Sequence, residues 1–112
     1  MNIETTIIQY LNDKGYQASA SVLDPRPEEF VTVELTGGNY ETNINFPLVT
    51  IKAWSKTRLD ASVLASKLIA DLKKLNELNG IARVEINSHY HNPDSDSRME
   101  CYQIVINLVI NE

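Results

Sequence analysis

Between residues 57 and 79, Ala61, Leu64, Ala65, Leu68, Leu72 and Leu75 recur at intervals of three and four, while Asp60, Lys67, Asp71 and Lys74 fall outside that series. The spacing is that of an α-helix with one apolar stripe, and such a stripe must be covered by another layer. Thr57, with Asp60 three residues on, resembles a capping box in which Asp replaces Glu, and Asn79-Gly80 ends the helix. The layer that receives the stripe is sought in the alternating segments on either side.

Phe30 to Thr36 alternates, with Val31, Val33 and Leu35 on one face and Phe30, Thr32 and Glu34 on the other; Gly37-Gly38 ends it. Leu48 to Trp54 repeats the pattern through Val49, Ile51 and Ala53. The two read as a long hairpin whose polar tip, Asn39 to Asn45, protrudes. Ile81 to Tyr90 and Met99 to Ile110 supply two more strands. In the last, Tyr102, Ile104, Ile106, Leu108 and Ile110 share a face while Val105 and Val109 add apolar surface to the other, as in a central strand. A first helix, Asn2 to Lys14, carries Ile3, Ile7, Ile8 and Leu11 and stops at Gly15. Tyr16 to Leu23 reads as a modest edge strand before the Asp24-Pro25-Arg26-Pro27 loop. The order is α-β-β-β-α-β-β: an α+β domain over residues 1–112, with a five-stranded antiparallel or mixed sheet and both helices on one face. Two helices cover about one face of five strands, so Phe30, Trp54, Val105 and Val109 are expected to stay partly open or to meet another subunit.

Charge narrows the function. Ten Lys and Arg against fifteen Asp and Glu give a net charge of −5, the opposite of the footprint that phosphate neutralisation requires. Helix, three strands, helix is also the order of a double-stranded RNA-binding domain, and Lys56 and Arg58 sit where its phosphate grip would be. The net charge, the two extra strands and the lack of a lysine cluster at that helix start argue against it. Residues 52–83 carry seven basic residues against three acids, a local +4, while the remainder carries three against twelve, or −9. Patches of unlike sign on one chain orient copies against each other. The lone Cys101 forms no intramolecular bridge, which fits a reducing compartment. The N-terminal residues lack a signal-peptide pattern, and no apolar run reaches the roughly 20 residues of a membrane span.

Reaction chemistry finds little footing. His89, His91 and Asp94 could in principle meet at a divalent metal, but Asn92-Pro93-Asp94 reads as a polar turn and the spacing fits no metal motif. Cys101, flanked by Glu100 inside a regular strand, reads as a packed thiol. No Gly-x-Ser-x-Gly occurs, Gly37-Gly38 precedes no helix that could cradle phosphate, and Glu28-Glu29 are neighbours in a proline-rich loop. No catalytic residue, metal site or cofactor is expected.

The run Pro47-Leu48-Val49-Thr50-Ile51-Lys52-Ala53-Trp54-Ser55-Lys56-Thr57-Arg58-Leu59-Asp60-Ala61-Ser62 resembles the tail-terminator or minor tail proteins of long-tailed bacteriophages. A strand ends in an aromatic residue, a short basic stretch follows, and a helix with small residues begins. Ala82-Arg83-Val84-Glu85, the Pro93-Asp94 turn, and Arg98 and Tyr102 leading into the last strand are similar as well. The resemblance implies a non-enzymatic, phage- or prophage-encoded virion protein, made in the host cytoplasm and residing in the tail or neck. Its copies form a ring, typically of six, that caps the tail tube and faces the head connector or completion protein. DNA passes through the lumen without specific binding, which a net-negative protein suits. A closed ring joins two different patches of each copy. Trp54, Lys56, Arg58, Arg98 and Tyr102 on one side, and Glu28, Glu29 and Glu41 on the other, are the expected subunit contacts. A completion protein of the same neck is the nearest alternative.

Overall fold

A computed structural model describes residues 2–41, 44–93 and 98–111. Two α-helices, α1 (Ile3–Asp13) and α2 (Arg58–Leu72), accompany five strands: β1 (Ala18–Ser19), β2 (Phe30–Glu41), β3 (Ile44–Ser55), β4 (Ile81–His91) and β5 (Glu100–Asn111). The sheet order is β1-β2-β3-β5-β4. Only the β1–β2 pair is parallel, so the sheet is mixed, and β5 lies between β3 and β4 as its two-sided apolar pattern requires.

Both helices cover the same face. Ile7 and Leu11 of α1, and Ala61, Ala65, Leu68 and Leu72 of α2, are fully buried against Val31, Val33, Val49, Ile51, Ala53, Ile104 and Ile106. Each large aliphatic side chain so buried contributes about 1.5–3 kcal/mol. The caps follow the sequence: Asn2 Oδ1 accepts from the Thr5 amide at 3.1 Å, and Thr57 Oγ1 accepts from the Asp60 amide at 3.1 Å. The helices are also tied to each other, because Tyr10 donates to the Asp71 carbonyl and Tyr16 to Asp71 Oδ2, both at 2.6 Å.

Four expectations change. The segment Tyr16 to Leu23 forms only a two-residue strand. Its small residues offer no packing ladder, and Ala18 is held instead by the Asn12 side chain, which accepts from its amide at 2.8 Å and donates to its carbonyl at 3.2 Å. Gly37-Gly38 does not end β2. The register shifts between Leu35 and Gly37, where Thr36 is the extra residue, and pairing resumes to Glu41 opposite Ile44. The expected polar tip is therefore largely strand, with 42–43 outside the described residues. Helix α2 stops at Leu72, and Leu75 reaches the core from a 3₁₀ turn at Leu75–Glu77 before Gly80, at φ 94°, leads into β4. Finally, Phe30 and Trp54 are not open on the second face. They stack at 5.5 Å and, with Met99 and Cys101, form a small second core that seals one end of it.

Beyond that seal no helix among the described residues covers the second face; residues 20–22 flank Thr32 and Thr50 there. Leu48, Val105 and Val109 are half-buried there, and the molecule is elongated, 44 × 24 × 24 Å, along the hairpin direction. Among the described residues no helix is long and apolar enough to cross a membrane.

Candidate functional site

Residues distant in sequence converge where β3 ends, α2 starts and β5 begins. Antiparallel pairing sets Ser55 opposite Glu100 and Ala53 opposite Tyr102, and β4 brings His91 opposite Tyr102 from the other side. Arg58, in the first turn of α2, lies beside the Tyr102 hydroxyl, and that neighbour, with Glu100 close by, raises the pKa of the guanidinium. The rings of His89 and His91 lie 5.5 and 5.2 Å from the Tyr102 ring, and His91 Nε2 pairs with Glu100 Oε2. The Asn92 amide donates to the Cys101 carbonyl at 2.7 Å, which fastens the end of β4 to the start of β5.

This geometry gives the two histidines a role in packing against Tyr102. Among the described residues no three His, Cys, Asp or Glu side chains are placed to share a metal, and Asp94 lies outside those residues.

The expected contact residues divide. Arg58 and Tyr102 are brought together, and Arg98, four residues before Tyr102, is exposed at φ 60°. Lys56 and Glu28, expected to face each other across a subunit boundary, meet within one chain at 2.8 Å. Both are largely exposed, and the ammonium holds the Glu28 carboxyl below its ordinary pKa. A pair so open to solvent contributes little to stability. Trp54, expected at an interface, is 7% exposed, and its indole nitrogen donates to Thr32 Oγ1 at 3.1 Å, so its ring serves the chain's own packing. Glu29 is exposed and, with Lys67 and Val63, lines a shallow groove of about 450 Å³ between α2 and residues 15–17. The side chain of Glu41 lies outside the described residues.

Two features escape the sequence reading. Leu59 and Val63, one helical turn apart on α2, are 73% and 60% exposed. On the helix-free face, Phe46, Leu48 and Val109 floor an open groove of about 530 Å³, with Arg83 and Glu85 on its rim. The signal for the first is present in the sequence. Positions 59, 63, 66 and 70 are Leu, Val, Ser and Ala, so the α2 stripe opposite the buried one carries no charge. The groove is signalled in part, because Val109 is expected on the open face, but Phe46 falls outside the strand that the alternation from Leu48 to Trp54 marks.

No protein-family model matches the chain, and a search of curated proteins finds no match either.

Proposed function

We propose that the chain is a structural subunit that works by shape and by joining copies of itself into a ring at the head-proximal end of a phage tail tube. There it ends tube growth and offers a surface for the head connector. One observation supports this reading most. Arg58 and Tyr102, two positions matched in separate parts of the resemblance, meet at one end of the sheet, where the guanidinium lies beside the phenol. Matched positions that share one surface are what a common contact site would leave. The one-sided helical cover and the elongated shape fit a subunit completed by neighbours.

The nucleic-acid reading loses support at the same place. Lys56, one of the two cations that would grip phosphate, has the Glu28 carboxylate beside it at 2.8 Å. Electron microscopy of tails assembled with and without the protein tests the proposal. Overlong or unclosed tubes are expected without it, with gold-labelled protein at the tube end when it is supplied. Label on the head-side connector alone assigns it to neck completion, and normal closed tails in its absence remove the proposal.

A further inference from the structure

Helix α2 is apolar on two opposite sides. Its inner stripe is spent on its own sheet, whereas Leu59, Val63, Ser66 and Ala70 follow one another at four, three and four residues along the outer side, and its two large members are mostly exposed. An ordinary surface helix carries charge there, and a helix apolar all round is normally covered all round. Across the sheet lies the groove floored by Phe46, Leu48 and Val109. One chain thus presents an uncovered helix on one side and an apolar, uncovered sheet face on the other.

We infer that these two surfaces bind each other between copies: the Leu59–Val63 ridge of one copy seats in the Phe46–Leu48–Val109 groove of the next. The partner is a second copy of this chain, which rests on the ring reading above and specifies the contact that reading leaves open. Two arguments select it. The contact repeats the packing the chain already uses, an α2 stripe on the β3–β5 strands, so helix and sheet layers alternate from copy to copy. Each surface carries charge of both signs beside its apolar centre, Asp60 and Lys67 along the ridge and Arg83 and Glu85 on the groove rim. The rim residues pair loosely with each other at 3.6 Å in the single chain and are exposed enough to exchange that partner for a charge of the next copy. Since ridge and groove lie on opposite sides of the domain, the contact is head-to-tail and propagates from copy to copy until it closes.

Sedimentation velocity on purified chains tests this with two variants. Val63→Asp places a carboxylate on the ridge at an exposed site, and Asn107→Trp fills the groove from its lining. The wild type is expected to sediment as oligomers at high concentration, and each variant alone as a monomer with association weakened about tenfold or more. An equimolar mixture of the two variants retains one intact ridge and one intact groove, so it is expected to give dimers and nothing larger. Unchanged melting of the dilute variants shows that they are folded; should Asn107→Trp fail that control, Glu85→Lys on the exposed rim replaces it.

A wild type that stays monomeric near millimolar concentration overturns the inference. So does a mixture of folded variants that yields no dimer, or a groove variant that assembles normally while the ridge variant does not. These outcomes are independent of the tail experiment: normal tails without the protein would remove its place in the virion and leave a measured head-to-tail contact standing.

Discussion

Tyr16 holds its phenol against the Asp71 carboxylate at 2.6 Å, and burial, that hydrogen bond and the neighbouring negative charge all raise its pKa above the ordinary 10.0. Tyr10, whose hydroxyl meets the Asp71 carbonyl, is shifted the same way, chiefly by burial. The folded chain therefore keeps phenol protons that the unfolded chain releases, so this stabilisation is complete below pH 10 and is lost as the pH rises past it. Tyr16→Phe is expected to cost about 1.5–3 kcal/mol in urea unfolding at neutral pH, as for a hydrogen bond to a charged group, and to flatten the alkaline loss. An unaltered alkaline slope would show that the link between the helices lies elsewhere. Glycines give a second test at this scale. A Cβ on Gly38, at φ 137°, would stand 2.5 Å from the Phe46 carbonyl oxygen, whereas a Cβ on Gly37 meets nothing within 4 Å. Gly38→Ala should destabilise by about 2 kcal/mol or more and Gly37→Ala by a few tenths, measured by thermal melting. Equal effects would mean that β2 and β3 do not approach as closely as described.

At the scale of elements, α2 tests what a cap contributes. Thr57→Ala removes the side-chain acceptor for the Asp60 amide and is expected to cost about 1 kcal/mol, while Thr57→Asn should restore most of it; equal loss in both would place the effect outside the cap. The elements that could be read from sequence are those whose pattern is local. The α2 stripe, the alternation in β3 and β5 and the Asn2 cap each declare a period or a hydrogen bond spanning a few residues. The misread boundaries are set by distant partners. Gly37-Gly38 looks like a strand end, yet the facing strand carries β2 through by absorbing Thr36 as a bulge, with the Thr36 hydroxyl donating to the Leu48 carbonyl at 3.1 Å. Tyr16 to Leu23 alternates weakly enough to suggest a strand, but Asn12 satisfies Ala18 and leaves only two residues to pair. Of the candidate contacts, charge marked Lys56 and Glu28 correctly as opposites. Only the fold reveals that they meet within one chain, and that the Trp54 ring faces Phe30.

At the scale of the whole molecule, one sheet with helices on a single face leaves stability coupled to concentration. If ridge and groove join only in folded copies, each association draws the equilibrium away from the unfolded chain. Raising the free concentration to about a hundred times the dissociation constant adds about 2.7 kcal/mol. For a domain of this size each kcal/mol moves the midpoint by roughly 4 °C, so the wild-type Tm is expected to climb by about 10 °C over that range. Val63→Asp should melt at one temperature across the same dilution series, and that temperature should lie close to the wild type's at its most dilute, because the side chain is 60% exposed in the single chain and gives up little internal packing. Differential scanning calorimetry separates the outcomes. A midpoint that rises in both proteins would put the contact away from α2, and one that rises in neither would show that the folded copies do not associate. A variant already depressed at the lowest concentration would mean that Val63 supports the fold itself.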